Sequence, residues 1–384
     1  MHLYFKIMQL INKQRIALSS YFFLSGFTFS SWASRIPTIK AALDLNEAEL
    51  GSVLLIMPIS SMIGLPISGW LVSKYETRIP LTAGFLVNAI CLSFIGLAQT
   101  TLALVITLFL YSFSLRMFNI AVNTQAITLQ KQFDKKINGS FHGLWSTGGI
   151  VGVGFTTLLI SVGVTIVPHL LIVSGLAIMA ILIAFQFLLR NDRSATGNKL
   201  ALGKPDPYIL YLGLMVFFAA ICEGGMFDWS GIYFQQVVKE DVFTTGYLIF
   251  MAFMALSRFL SDRIIHKMGM PATYIMSASF IFTGILLAIL LPNFWPAMIG
   301  FSLVGFGTAS VIPMTYTLAG ASKTYSPGMA ISLIATFGIV GMLLGPPMIG
   351  YLAHAFNLKV SFIAFALAGI MLIPISQLFF KLEK

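Results

Sequence analysis

Uncharged apolar runs close to the roughly 20 residues that cross a hydrocarbon core recur along this chain from end to end. In lipid every backbone N–H and C=O must be satisfied internally, so such runs fold as helices or as strands of a closed barrel. Barrel strands alternate apolar and polar residues with period two, and these runs do not. Charged residues make up 9% of the 384, against about 25% in soluble domains. That is too little for the polar coat of a soluble protein of this size. The pattern predicts an all-α polytopic membrane protein.

The net charge of +10 does not point to nucleic acid, because the basic residues sit in short loops between hydrophobic spans. The opening "MHLYFKIMQLINKQR" is a short basic lead-in with no small-residue cleavage site after it, which reads as a retained first helix. Cys91 and Cys222 both fall inside apolar runs, so neither a disulfide framework nor a zinc site is expected. No cofactor is expected either.

Runs between charged or Pro/Gly-rich breaks give about twelve spans: 16–40, 47–73, 79–98, 101–130, 139–163, 168–190, 208–238, 244–262, 271–291, 295–320, 328–352 and 359–380. The longest polar interruption, "RNDRSATGNKLALGKPDP", divides the chain nearly in half. The expected organisation is a bundle over 1–190, a cytoplasmic linker over 191–207 and a second bundle over 208–384. With the N-terminus inside, the inner segments hold clusters such as Lys13 with Arg15, Lys74 with Arg78, Lys135 with Lys136, and Arg190 with Arg193. The outer loops hold only Lys40, Lys239 and Lys359. Positive charge gathers on the cytoplasmic side, so both termini are expected there.

The two halves repeat. "TGGIVG" at Thr147–Gly152 returns as "TFGIVG" at Thr336–Gly341, and Gly139 matches Gly328, both 189 residues apart. "GWLVSKYETR" from Gly69 aligns with "RFLSDRIIHK" from Arg258 at the same offset. Two pseudo-symmetric six-helix bundles are expected, related by an axis along the membrane normal.

These features resemble the major facilitator superfamily over essentially the whole chain. Its signature joins spans two and three, and eight and nine. The second copy is well kept in Arg258, Asp262, Arg263, Lys267 and Gly269. The first keeps Gly69, Lys74 and Arg78 but has Ser73 where the family usually has Asp. The resemblance implies gating on the cytoplasmic side by Lys74, Arg78, Arg258, Asp262 and Arg263, weakened in the first half. "WASRIP" (Trp32–Pro37), "NIAVNTQ" (Asn119–Gln125), "SFHGLWSTGG" (Ser140–Gly149) and "EGGMFDWSGIY" (Glu223–Tyr233) are similar to small bacterial inner-membrane permeases related to fucose permease. In that fold spans one, four, seven and ten line the substrate cavity.

Span four carries the most informative residues. Ser112, Arg116, Asn119 and Asn123 are four, three and four residues apart, which makes one helical stripe. A charge near mid-span is costly unless it faces water, a partner or a ligand. Arg116 is therefore a candidate for holding carboxylate, phosphate or vicinal hydroxyls through its planar fork. Asn119 and Asn123 add amide donors and acceptors, or bridge packed helices. Outside the signature, Glu223 and Asp228 are the acidic residues within a span, both on span seven. A carboxyl group held out of water suits reversible protonation, which makes both candidates for proton coupling. Glu223 could instead be the structural partner of Arg116. Asp228 and Arg35 lie toward the outside and could form a gate pair. Trp32 and Trp229 could stack on a sugar or anchor the helices at the interface. Tyr316 and Thr315 on span ten are further cavity candidates. His142 and Trp145 read as packing residues, and the glycines at 148, 149, 152 and 154 as close helix packing rather than a nucleotide loop.

The expected function is secondary active transport by alternating access, as proton-coupled uptake of a small sugar- or polyol-like solute. Organic-anion transport, efflux of an amphipathic compound and a transport-dead sensor are the alternatives. An enzyme is not expected, because the spans carry no nucleophile–base set and no HExxH. The expected partners are a small-molecule substrate, protons and the lipid bilayer of a bacterial inner membrane, with the chain acting as a monomer.

Overall fold

The computed structural model describes residues 2–133, 137–190, 192, 206–325 and 327–382; side chains of 2–8, 138–139, 262, 327–329 and 332 are outside that description. Lys135, Lys136 and all of the expected linker except Asp192, Asp206 and Pro207 fall outside it too. The described chain is all-helical in its regular structure, with short turns between helices. In order it forms α1 (His2–Ala33), α2 (Ile36–Ala42), α3 (Glu47–Lys74), α4 (Arg78–Leu97), α5 (Thr101–Gln130), α6 (Asn138–Ser161) and α7 (Ile166–Phe185). Then follow α8 (Pro207–Tyr233), α9 (Thr244–Leu290), α10 (Phe294–Thr308), α11 (Val311–Gly320), α12 (Pro327–Ala355), α13 (Leu358–Ser361) and α14 (Ile363–Leu382).

Polar residues just outside the apolar runs start these helices. Asn46 and Glu49 cap α3 reciprocally: each backbone N–H donates to the other's side chain at 2.9 Å. Asp206 accepts from Ile209 N at 2.9 Å, and Pro207 takes the first position of α8. α9 is two spans joined at Gly269, whose φ of 77° suits glycine, with Pro271 just beyond. Among the described residues eleven helical segments are long and apolar enough to cross a membrane. The long helix outside that set, α1, has 32 residues. Its serines and threonines between Ser19 and Ser31 lower its hydropathy, and Ser31 returns its hydroxyl to Phe27 O at 2.8 Å. With α1 the twelve expected spans are accounted for.

The chain divides into two compact units: Met1–Thr38 with Ile56–Lys199, and Ile39–Leu55 with Leu200–Lys384. The first is centred on Tyr21, Phe85 and Phe118, all buried. The Tyr21 hydroxyl meets Thr82 Oγ1 at 2.8 Å and donates to Ile181 O, which ties α1 to α4 and α7. A Cβ on Gly148 would strike Phe23 O, and one on Gly152 would strike Phe27 O. The glycine run of α6 thus lets α1 approach backbone to backbone.

In the second unit the repeat does the same work. A Cβ on Gly341 of α12 would strike Phe217 O of α8. Cys222, Glu223, Trp229 and Tyr233 put α8 through the core of this unit. The expected boundary at 190 keeps span two whole, but its first turns group with the C-terminal unit. Small residues allow this: a Cβ on Gly51 would lie 3.1 Å from Pro347 Cα. Ser52 Oγ sits 2.9 Å from the Tyr351 hydroxyl, and Lys40 pairs with Glu47 at 3.0 Å.

Candidate functional site

Arg116 lies at the middle of the 30-residue α5 and is partly exposed. Its Nε donates to Ser61 Oγ of α3 at 2.6 Å. Gly64, one turn along α3, leaves room for the arginine stem: a Cβ there would lie 3.5 Å from Arg116 Cβ. Ser112 Oγ donates to Met57 O at 2.6 Å, a second tie between the same helices. Among the described residues Arg116 has no carboxylate partner, since the ion pairs are Lys40–Glu47, Arg78–Glu76 and Arg258–Glu223. Asn123 Nδ2 donates to Asn119 O of its own helix at 2.7 Å. Neither asparagine hydrogen-bonds a neighbouring helix among the described residues.

Glu223 has a partner inside its own unit. Glu223 Oε1 accepts from Arg258 Nη2 at 3.3 Å, within the second unit. The Glu223 side chain is 9% exposed and that of Arg258 31%. Arg258 was expected with the cytoplasmic signature, but it lies one turn ahead of Asp262 on α9, and its long stem carries the guanidinium back to α8. Tyr316 of α11 is within electrostatic reach of Glu223. Glu223 and Arg258 thus form one charged pair from two helices, α8 and α9. Asp228, partly buried, has no hydrogen-bond or ion-pair partner among the described residues.

The remaining candidates are placed as follows. Trp32 and Trp229 are enclosed by protein, 2% and 0% exposed. Neither offers a ring face to a solute or to the lipid interface in this structure. Trp32 packs on Tyr111, and Trp229 Nε1 has no acceptor among the described residues. Arg35 donates from Nε to His169 Nδ1 at 3.0 Å and from Nη2 to Val164 O at 2.7 Å. Arginine only donates, so His169 Nδ1 is the acceptor and Nε2 carries the ring proton, aimed at Thr156 Oγ1 3.3 Å away. Thr315 is buried and bonded to the Tyr274 hydroxyl at 2.8 Å, which takes it out of the cavity candidates. His142 and Trp145 pack against Phe22 and Phe29.

At the signature loop of the first half, Lys74 is exposed over the Trp70 ring at 4.7 Å, and Arg78 Nε pairs with Glu76 at 2.8 Å. Ser73 donates to Trp70 O. The carboxylate that organises this loop comes from Asp192 instead. It accepts from Thr77 N at 3.0 Å, from the Thr77 hydroxyl and from Gln125 Nε2. Sequence reading had no means of finding Asp192, which lies 115 residues from Thr77 in a polar linker. Arg263 is exposed on α9, and the Asp262 side chain lies outside the described residues.

Residues 18–319 match the family model of the Major Facilitator Superfamily. The chain belongs to the major facilitator superfamily. It is 31% identical over 351 residues, 91% of either chain, to an uncharacterised MFS-type transporter of Yersinia pestis. It is 27% identical to the membrane protein MosC of Rhizobium meliloti, over 94% of this chain and 89% of that one. Among solved structures, a bacterial homologue of the human lysosomal transporter Spinster superposes with a TM-score of 0.75 at 15% identity, over 96% of this chain and 97% of that one. The nucleoside transporter NupG superposes with a TM-score of 0.75, also at 15% identity, over 96% and 99%. The fold is that of these transporters, and the protein is a multi-pass membrane protein of a transport family.

Proposed function

We propose that this chain is a proton-coupled secondary transporter that takes up a small, hydroxyl-rich solute by alternating access. The observation that carries the reading is that each unit holds its own charged group within a span. One is a mid-span guanidinium on the Arg116, Asn119 and Asn123 stripe, with no carboxylate partner among the described residues. The other is a nearly enclosed carboxylate, Glu223, held by Arg258. The first has the donors for a polar solute. The second has a carboxylate whose protonation would release Arg258, a change that a transport cycle can use. Asp228 is a second proton candidate on the same helix. Arg35, Lys74, Arg78, Asp262 and Arg263 remain assigned to gating, and the Lys and Arg asymmetry supports both termini in the cytoplasm of a bacterial cell. The stretches similar to fucose permease relatives favour sugars or polyols.

Organic-anion transport is the second reading, favoured by the absence of a carboxylate beside Arg116 among the described residues. Uptake into proteoliposomes under an imposed pH gradient tests the proposal. A panel of labelled sugars, polyols and carboxylates should contain a solute that accumulates, and a protonophore should abolish the accumulation. Equal uptake with and without the gradient would remove the proton from the account.

A further inference from the structure

A groove of about 660 Å³ runs along the middle of α1, and no residue of α5 lines it. Its polar wall is Asn12, Arg15 and Ser19, and its apolar wall is Phe23, Leu144 and Ala180. Asn12, Arg15, Ser19 and Phe23 follow one another at three- and four-residue steps, so α1 presents them as a single stripe. Polar groups occupy the amino-terminal end of that stripe and apolar groups the deeper end. Leu144 of α6 and Ala180 of α7 close the apolar end.

Arg15 has no hydrogen-bond or ion-pair partner among the described residues. Its guanidinium rests on the Phe133 ring, 5.6 Å from the centroid. That contact orients the planar fork without neutralising it. Ser20 at the groove's edge returns its hydroxyl to Ile16 O at 3.0 Å, which leaves its lone pairs to accept. Ile16 beside the groove is 67% exposed, and Leu10, six residues earlier, is 53% exposed. Side chains that apolar and that open suit acyl chains better than water, which favours a lipid as the occupant of the groove.

We infer that this groove holds one anionic phospholipid of the cytoplasmic leaflet. Its phosphate would meet Arg15, Asn12 and Ser19, and an acyl chain would lie over Phe23, Leu144 and Ala180. The leaflet rests on the orientation proposed above; the groove and its chemistry do not. A free phosphate would leave the apolar wall unused, and a neutral lipid would leave Arg15 without a counter-charge. Basic pockets between helices near the inner membrane face are suited to anionic headgroups.

The test is retention of phosphatidylglycerol against phosphatidylcholine by delipidated, monodisperse protein, titrated and read by native mass spectrometry. Wild-type protein should hold phosphatidylglycerol about tenfold more tightly. Arg15→Gln should remove that preference, because a charge-assisted contact is worth about tenfold or more. Lys13→Gln removes the same charge from an exposed neighbour that does not line the groove, and should change retention less than about twofold. Ala180→Phe keeps every charge but fills the apolar wall, and should weaken both lipids. It serves as the independent variant if Arg15→Gln fails to fold. Equal losses in the Lys13 and Arg15 variants would mean diffuse surface charge and overturn the proposal. So would unchanged retention in Ala180→Phe, or displacement of the lipid by millimolar inorganic phosphate. Solute uptake by the same preparations separates this result from the transport reading. Lipid selectivity in a protein that moves no solute would leave the groove assignment standing and refute only the function.

Discussion

Arg116 is held at one corner only, by Ser61, which makes its contribution to ligand binding separable from its contribution to folding. Arg116→Ala should weaken binding of the transported solute by about ten- to a hundredfold, the worth of one charged hydrogen bond of about 1.5–3 kcal/mol. Arg116→Lys should restore part of it, because an ammonium lacks the two-point planar contact. Both variants should melt close to the wild type, since no ion pair is broken. Glu223→Gln should behave differently, stranding Arg258, and the double variant with Arg258→Gln should recover the lost stability. Melting curves and ligand titrations across these variants check both halves of the expectation. The arginine itself was legible in the sequence, because one charge in a long apolar run stands out. Its contact with Ser61, and the pairing of Glu223 with Arg258, were not legible. Partner choice depends on which helices pack together and how far each is rotated, and hydrophobic spacing carries neither.

Helices in this fold are set side by side by glycine. Gly152 admits Phe27 O of α1 and Gly341 admits Phe217 O of α8, at matching places in the two repeats. Gly152→Leu and Gly341→Leu should each destabilise the protein by about 1–3 kcal/mol or more through overpacking. Gly154→Ala, where nothing lies within 4 Å, should be neutral or slightly stabilising because alanine is the better helix former. Thermal melting in one detergent compares the three; a loss in Gly154→Ala matching that in Gly152→Leu would contradict the close-approach account. The repeat and its role in packing were both legible, since the stretches at Thr147–Gly152 and Thr336–Gly341 share an offset with other matches and small residues in membrane helices mark contacts. The span limits were legible too, because the polar caps Asn46 and Asp206 flank the apolar runs. The burial of both tryptophans was not, since an aromatic at a span end reads alike whether it faces a core or the lipid interface.

Over the whole molecule, charge and packing carry different information. The Lys and Arg asymmetry predicts a direction in the membrane, so reporter tags at both termini should be accessible from the cytoplasm alone. A periplasmic C-terminus would remove the proposed orientation and the leaflet assigned to the Arg15 groove. The grouping of Ile39–Leu55 with the C-terminal unit was hidden in the sequence. It rests on contacts of Gly51 and Ser52 with residues some 300 positions away, Pro347 and Tyr351, and no local pattern announces them. The central claim is that solute movement and proton movement use different residues of one chain. Glu223→Gln, which fixes the neutral form of that side chain, is the direct test in proteoliposomes loaded with solute. The account predicts that this variant still exchanges internal for external solute but no longer accumulates it under a pH gradient. Accumulation at the wild-type level in Glu223→Gln would contradict it.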